Sequence, residues 1–278
     1  MDTLIMAAAE SIKNSDALLI TAGAGMGVDS GLPDFRGNEG FWNAYPVYDR
    51  LGLRFESLAD PQWFIDDPTL AWGFYGHRLE LYRSIMPHRG FDILKEWSDQ
   101  RQSFIFTSNV DGQFQRAGFD QKKIVECHGS IHWLQCTYGC GIDMWKADGT
   151  NVTVDIETMR AVGELPVCPA CGSLARPNIL MFGDVGWDGS RTQEQLNRLR
   201  TWIDSLNGQK LTIIECGAGT VIPSVRRFSE TAMRSGRGRL IRINVREDDV
   251  PSGQIGLALG AKDALERISR YRVNAERY

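Results

Sequence analysis

Short apolar runs and stretches of helical spacing alternate along most of this chain. The runs that fit buried strands consist of small or branched apolar residues, and they lie at residues 17–21, 104–107, 124–126, 179–182, 211–215 and 240–244. Stretches with apolar residues at helical spacing lie between them, at residues 3–14, 69–85, 91–99 and 190–206. Strand and helix repeated in this order predict an α/β fold, in which a parallel sheet carries helices on both faces.

Two segments interrupt this alternation. Residues 38–90 are rich in Trp, Tyr, Phe and Pro, and we expect a loop with short turns over residues 38–55. Asp67-Pro68 is expected to open the helix that follows, because proline is favoured in the first turn of a helix. The second segment carries two pairs of cysteines.

Composition favours a globular protein over a nucleic-acid-binding or membrane-spanning one. The 278 residues are 42% apolar with a net charge of −4, which is typical of an ordinary globular protein and offers no basic groove to a nucleic acid. The most basic stretch, Arg234 to Arg242, is expected to be a solvated loop before a strand. No apolar run approaches the roughly 20 residues of a membrane span. The N-terminus lacks the basic region of a signal peptide, so we expect a cytoplasmic protein with reduced cysteines.

Glycine follows the first predicted strand, at the point where such sheets bind ligands. In a doubly wound sheet the ligand site lies at the carboxyl ends of the strands. Gly23-Ala24-Gly25 stands at this position, and the missing side chains let backbone N–H groups approach a phosphate. The alternative is a mere tight turn, which gives the same pattern.

Two later strand ends carry side chains suited to catalysis. His128 follows the third strand, and the pKa of an imidazole lies near working pH, as a general base requires. A satisfied core or surface histidine is the plainer alternative. Asn109 and Asp111 follow the second strand and offer an amide and a carboxylate to a ligand. An Asx-turn at a strand end would also explain these two residues.

The cysteine pairs have the spacing of a metal site. Cys136 and Cys140 form one pair, and Cys168 and Cys171 form the other; together they fit a tetrahedral Zn²⁺ site. Four thiolates leave no open coordination position, so we expect the metal to be structural. Four unrelated thiols or a redox pair are the alternatives.

The stretch from Gly23 to Arg36 reads GAGMGVDSGLPDFR and resembles the first motif of the sirtuins, the NAD-dependent protein deacylases. Later stretches are similar to sirtuin motifs in the family's own order, namely TSNVDG at 107–112, CHGS at 127–130, the cysteine quartet, RPNILMFGD at 176–184, GAGT at 217–220 and RIN at 242–244. The chain departs from the family at Gly27, where serine is usual, and at Ser108, where glutamine is usual.

The resemblance implies an architecture: a large Rossmann-like domain with a small zinc-binding domain beside it. Residues 1–37, 91–131 and 177–278 are expected to build the large, NAD-binding domain. Residues 38–90 and 132–176 are expected to build the small domain, with a helical insertion and the four-cysteine module. The implied cofactors are NAD and Zn²⁺, and the implied partner is an acyl-lysine protein or peptide, with no nucleic acid and no membrane.

The resemblance also implies roles for individual residues. His128 would be the general base, and Asn109 would orient a water or a ribose hydroxyl. The positions implied for NAD are Gly23, Ala24, Gly25, Asp34, Phe35, Arg36, Ser108, Asn109, Asp111, Gly217, Gly219, Thr220 and Asn244. The positions implied for the substrate are Leu180, Phe182 and Gly183 along the peptide, with Tyr75 and Arg78 at the acyl group.

Tyr75 and Arg78 are three residues apart, so they share a face of the predicted helix. Sirtuins that act on succinyl- and malonyl-lysine carry a tyrosine and an arginine at this spacing, and the pair can bind a carboxylate. The alternative is a solvated helix face, which gives the same spacing by chance.

The reaction implied by the resemblance is NAD-dependent removal of an acyl group from protein lysine. In the family the acyl oxygen attacks C1′ of the nicotinamide ribose and expels nicotinamide, and the products are lysine and O-acyl-ADP-ribose. Two other functions stay open at this point. One is an NAD hydrolase or ADP-ribosyltransferase on the same scaffold, and the other is a non-catalytic module that senses NAD and binds a partner.

Overall fold

The computed structural model describes residues 1–33, 37–236 and 238–275. Its strands are β1 (Ala17–Ala22), β2 (Gln102–Thr107), β3 (Ile124–Glu126), β4 (Gly129–Cys136), β5 (Trp145–Lys146), β6 (Thr153–Asp155), β7 (Arg160–Val162), β8 (Ala175–Ile179), β9 (Leu211–Cys216), β10 (Arg239–Ile243) and β11 (Ile255–Leu257). Its helices are α1 (Asp2–Lys13), α2 (Gly37–Ala44), α3 (Pro46–Arg50), α4 (Phe55–Leu58), α5 (Trp63–Asp66), α6 (Pro68–Ser84), α7 (Arg89–Asp99), α8 (Gln113–Arg116), α9 (Ser190–Ser205), α10 (Ser224–Gly236) and α11 (Ala261–Ala275).

The main sheet is parallel, as the alternating pattern predicts. Within the described residues it has six strands in the order β3-β2-β1-β9-β10-β11. The inner strand β1 is buried along its whole length, and its Ala17 lies opposite Gln102 of β2 and Leu211 of β9. The strand order reverses between β1 and β9, so a crevice for a ligand opens at the carboxyl ends of these two strands.

Helices cover both faces of this sheet, which confirms the predicted fold class. Leu18 and Ile20 of β1 belong to a core that includes side chains of α1, α7 and α11. Leu19, between them in sequence, belongs to the opposite core with Leu199 of α9 and Val225 of α10. Because successive side chains of a strand point to opposite faces, one strand of apolar residues supplies both cores.

A second unit is built from antiparallel strands and short helices. Strands β4, β5 and β8 form one antiparallel sheet, and β6 pairs with β7. Helices α2 to α6 pack with these strands around a core rich in aromatic rings. The domain boundaries predicted at residues 131 and 177 fall inside β4 and β8, both of which belong to this antiparallel sheet.

The loop predicted over residues 38–55 is wrong, because α2 and α3 occupy most of that segment. The rings of Phe41 and Tyr48 stack with centroids 5.9 Å apart. Both lie edge-on to Phe74 of α6, at 6.0 and 5.9 Å. Packing of aromatic rings therefore stabilises helices that the local sequence does not indicate.

The strand predicted over residues 179–182 is also wrong. Strand β8 ends at Ile179, and it pairs with β4 in the antiparallel sheet instead of joining the parallel one. After it, the Asp184 carboxylate accepts a hydrogen bond from the backbone N of Met181 at 3.3 Å and pairs with buried Arg176 at 2.8 Å. This local pairing turns the chain out of the extended conformation.

The basic stretch from Arg234 to Arg242 is not the solvated loop that we expect from the sequence. Helix α10 runs to Gly236, β10 begins at Arg239, and Arg242 is buried against Glu215 of β9. A buried guanidinium needs such a carboxylate partner, which the sequence does not reveal. No helix among the described residues is long and apolar enough to span a membrane.

Candidate active site

A cleft of about 700 Å³ opens at the carboxyl ends of the parallel strands. Thirteen of the predicted site residues line it, namely Gly23, Ala24, Tyr75, Arg78, Ser108, Asn109, Asp111, His128, Leu180, Phe182, Gly217, Gly219 and Thr220. Gly25, Gly183 and Asn244 are not among its lining residues. Asp34, Phe35 and Arg36 lie outside the described residues, so their roles stay predictions.

Two glycine turns form one wall of the cleft, where the strand order reverses. Gly23 N donates to Cys216 O at 3.0 Å, and Gly25 N donates to Gly217 O at 3.0 Å, so backbone joins the turns after β1 and β9. Gly217 has a φ of 64°, and a Cβ at this position would lie 2.3 Å from the carbonyl carbon of Gly25. Because Gly23 and Gly217 have no side chains, the two turns approach closely enough to share backbone hydrogen bonds. The N–H groups of these two glycines are used within the wall, so a phosphate would meet the other residues of the turns, such as Ala24 and Gly219, which also line the cleft.

The turn after β1 also holds the residues that follow β2. Asn109 Nδ2 donates to Gly23 O at 3.0 Å, and Asn109 N donates to Thr107 Oγ1 at 3.0 Å. Asp111 Oδ1 accepts a hydrogen bond from Gln113 N at 2.9 Å. This is an Asx-turn, the alternative explanation that the sequence allowed for this residue. Asp111 nevertheless lines the cleft, and burial raises the pKa of its carboxyl to about 6.

His128 stands two residues after β3 and lines the same cleft. Gly129 sets its position, since this glycine has a φ of 75° and a Cβ there would lie 2.1 Å from Asn178 O in β8. The Nε2 atom of His128 lies 3.2 Å from Ser224 Oγ. Burial lowers the pKa of His128 below its ordinary value, so the ring is neutral at pH 7 and able to accept a proton.

Asn244 lies behind the cleft wall rather than in it. It is 2% exposed, and its Nδ2 donates to Ala218 O at 2.8 Å. Its Oδ1 accepts hydrogen bonds from Arg246 N at 3.0 Å and Glu247 N at 3.1 Å. Asn244 thus shapes the wall, whereas Arg246 and Glu247 line the cleft. Sequence reasoning missed these two residues, although their place just after β10 was an available signal.

Helix α6 places Tyr75 and Arg78 in the cleft, and both are buried. Arg78 donates from Nε and Nη2 to Tyr82 Oη at 3.0 and 2.8 Å. The Tyr75 hydroxyl is buried without a hydrogen-bond partner among the described residues. An unpartnered buried hydroxyl needs an explanation, and a polar ligand near Tyr75 and Arg78 supplies one. Tyr82 was missed, although its i+4 spacing from Arg78 places it on the same helix face.

The segment after β8 forms the mouth of the cleft. Leu180 and Phe182 line it and are 37% and 40% exposed. Leu180 N donates to His128 O at 3.0 Å, and Phe182 N donates to Ala59 O at 2.9 Å. Exposed apolar side chains on a segment tied to His128 by its backbone suit a peptide ligand.

The four cysteines form a cluster that fits Zn²⁺. All their sulfur atoms lie within 4.8 Å of one another. The sulfurs of Cys136 and Cys171 are 3.6 Å apart, as are those of Cys140 and Cys168. Four sulfurs bound at about 2.3 Å around a tetrahedral ion would be about 3.8 Å apart, whereas a disulfide bond measures about 2.05 Å. The four thiolates would fill the coordination sphere, so the metal they fit is structural.

We expect Cys168→Ser to remove the bound zinc, because three thiolates do not close a structural site. Metal analysis of the purified wild-type protein should give one Zn²⁺ per chain, and the variant should give close to none. Cys127→Ser is the matched control, since Cys127 is a free cysteine outside the cluster. Zinc-free wild-type protein, or full zinc in Cys168→Ser, would contradict the assignment.

Comparison with known proteins identifies the family. The Sir2 family model matches residues 23–202, which is about two thirds of the chain. The chain belongs to the Sir2 family. The predicted family is therefore confirmed, together with the Rossmann-like sheet and a cysteine cluster beside it.

Sir2 relatives from archaea are named NAD-dependent protein deacylases. The Archaeoglobus fulgidus protein, NAD-dependent protein deacylase 1, is 32% identical over 179 residues, which are 63% of this chain and 64% of that relative. This alignment spans just under two thirds of the relative's length. The Pyrococcus abyssi protein is 28% identical over 267 residues, or 95% of this chain and 96% of the relative.

Solved Sir2 structures share the fold of this chain along nearly its whole length. An ADP-ribose complex of a Sir2 homologue matches with a TM-score of 0.72 and 25% identity, over 98% of this chain and 97% of that one. A Sir2 homologue in complex with NAD matches with a TM-score of 0.71 and 26% identity, over 97% of this chain and 94% of that one.

Proposed function

We propose that this Sir2 protein removes acyl groups from lysine side chains of proteins in an NAD-dependent reaction. The observation that carries the proposal is that one cleft is lined by both glycine turns and by the neutral imidazole of His128. A nucleotide-binding turn and a general base are the two parts that this reaction needs. The names of the relatives, which are NAD-dependent protein deacylases, support the same activity.

The cleft has the groups that would hold NAD. The turns that contain Gly23 and Gly217 would bind the pyrophosphate, as glycine turns do at strand ends of this kind of sheet. Asn109 would meet the ribose, and the Asp111 carboxylate would accept a hydrogen bond from the nicotinamide amide. When bound, NAD supplies a glycosidic bond whose cleavage releases nicotinamide.

His128 does the proton chemistry in this proposal. Its half-buried ring is neutral at pH 7, so a ring nitrogen can take the proton of a ribose hydroxyl. The exposed side chains of Leu180 and Phe182 would contact the peptide and orient the acyl-lysine toward the cleft.

Nicotinamide release tests the proposal. The protein is incubated with NAD, with and without an acetyl-lysine peptide, and nicotinamide and free lysine are followed together. The proposal predicts release only with the peptide, in equal amounts with deacylated lysine. Release without peptide would indicate an NAD hydrolase, labelling of protein would indicate an ADP-ribosyltransferase, and no release would indicate a binding module; each contradicts the proposal.

We expect the affinity for NAD to fall as the pH drops through about 6. Because burial raises the pKa of Asp111, this carboxyl is protonated below that pH, and a neutral carboxyl accepts a hydrogen bond more weakly than a carboxylate. Calorimetric titration across this range measures the effect. His128 gains a proton in the same direction, so Asp111→Asn is needed to separate the two. An unchanged pH dependence in Asp111→Asn would exclude Asp111 as the cause.

We also propose that Tyr75 and Arg78 favour acyl groups that end in a carboxylate, such as succinyl. Tyr75→Phe should lower kcat/KM for a succinyl-lysine peptide about tenfold, because one hydrogen bond to a charged group is lost. Activity on an acetyl-lysine peptide should stay within about twofold, since the removed hydroxyl has no other partner among the described residues. Arg78→Met should show a larger loss of the same kind. Equal losses on both peptides would refute the preference.

The compartment is a further part of the proposal. A cluster of four reduced cysteines that binds Zn²⁺ is typical of a reducing compartment, which favours the cytoplasm. That the protein binds no nucleic acid stays a prediction from its net charge of −4.

A further inference from the structure

A second cavity lies next to His128. It measures about 630 Å³ and is lined by residues of α9 and α10, by Trp187 and Gly189 just before α9, and by Phe106 and Cys127. Cys127 is the neighbour of His128 in sequence. Ser224, the first residue of α10, also lines this cavity. The Oγ atom of Ser224 lies 3.2 Å from His128 Nε2, so the hydroxyl reaches the imidazole from the second cavity rather than from the cleft.

The contact with Ser224 is the only hydrogen bond that the ring of His128 makes within the described residues. The backbone carbonyl of His128 accepts from Leu180 N, but that bond does not orient the ring. Burial is the cause of the lowered pKa of His128, with no contribution from a charged group among the residues that the structure describes. Active-site histidines are commonly oriented by a carboxylate on one ring nitrogen, and here a hydroxyl takes that place.

We propose that Ser224 is a positioning residue that fixes the ring orientation and the tautomer of His128. The inference rests on the proposed function, in which His128 is the base. With Ser224 Oγ accepting the proton of Nε2, the neutral ring has its lone pair on Nδ1, which is the nitrogen left to act as the base. When Nδ1 takes a proton, Nε2 keeps its own. The ring can therefore gain a proton without losing its partner.

Ser224 is itself held in place, as a positioning residue must be. It follows Pro223 and opens a helix of 13 residues. The next residue, Val225, is buried in the core between α10 and the sheet. The hydroxyl is thus attached to a rigid element, whereas His128 stands in the short segment between β3 and β4.

The first test is the nitrogen spectrum of the imidazole rings, which needs no substrate. The ¹⁵N shifts of a histidine ring distinguish its two neutral tautomers. Because the chain has four histidines, the His128 signal is identified as the one that disappears in His128→Gln. We expect one tautomer in the wild-type protein and a mixture in Ser224→Ala. Ser190→Ala is the matched control, because Ser190 lines the same cavity but makes no bond to His128, and it should leave the signal unchanged.

The second test is kinetic. Loss of one neutral hydrogen bond should lower kcat of Ser224→Ala about fivefold, while KM for NAD stays within about twofold. Ser224→Thr keeps the hydroxyl and should restore kcat. A His128 signal in Ser224→Ala identical to that of the wild type would overturn the inference, as would a loss of kcat without any change in the ring signal.

The two proposals fail in different ways. If the wild-type protein consumes no NAD with acyl peptides but its ring signal changes in Ser224→Ala, the proposed function fails and the positioning contact stands. If acyl peptides are processed and Ser224→Ala matches the wild type in both tests, the inference fails and the proposed function stands.

Discussion

Replacing His128 with Gln is expected to lower kcat for deacylation by about 10²- to 10⁴-fold, which is the usual contribution of a general base. Glutamine keeps a polar side chain of similar reach, but it cannot take a proton. Among the described residues, His128 has no charged partner that the change would leave unpaired, so the fold should survive. Initial rates with saturating NAD and peptide measure the loss, and the melting temperature reports the fold.

The matched control for this variant is His77→Gln. His77 is also half-buried with a lowered pKa, but its Nδ1 atom bonds the Tyr45 hydroxyl at 3.1 Å and it does not line the cleft. Its replacement should leave kcat within about twofold. If His128→Gln has the same kcat as the wild type, His128 is not the general base, whatever ligand the cleft binds.

Gly217→Ala is expected to destabilise the protein by about 2–5 kcal/mol, and thereby to lower the melting temperature by about 5–15 °C. The left-handed backbone at Gly217 strains any side chain, and the added Cβ would lie 2.3 Å from backbone atoms of Gly25 and Met26. The two turns would have to separate, so NAD affinity should fall as well. Thermal unfolding and calorimetric NAD binding measure both effects.

Gly208→Ala is the control that separates the steric clash of an added Cβ from the strain of a left-handed backbone. Gly208 has a φ of 78°, and no atom lies within 4 Å of the place that a Cβ would take there. This change should cost only the strain of a left-handed residue, about 1–2 kcal/mol, and should leave NAD affinity unchanged. Equal destabilisation by the two changes, with NAD affinity intact in both, would show that the close approach of the two turns does not matter.

The elements that hold the glycine turns could be predicted from the sequence, because their signals are local. A strand buried on both faces needs an unbroken apolar run, and residues 17–21 supply one that the structure extends by a single residue. The cysteine spacing likewise predicted a cluster that all four sulfurs form. The end of β3 and the position of His128 after it were predicted at the same residues.

Other parts of the site depend on contacts that no local pattern reveals. The rings of Phe41 and Tyr48 stabilise α2 and α3 only because Phe74 lies against them from a distant helix. Ser224 is 96 residues from His128 in sequence, and the fold alone brings the two together. The motif assigns Asn244 to the cofactor, and only the fold reveals that its side chain bonds the wall of the cleft.

A crystal structure with a non-hydrolysable NAD analogue tests the central claim most directly. The account predicts the pyrophosphate against the two turns that contain Gly23 and Gly217, and the nicotinamide ribose within about 3.5 Å of a ring nitrogen of His128. An analogue bound away from the two turns, or a ribose out of reach of the His128 ring, would contradict it.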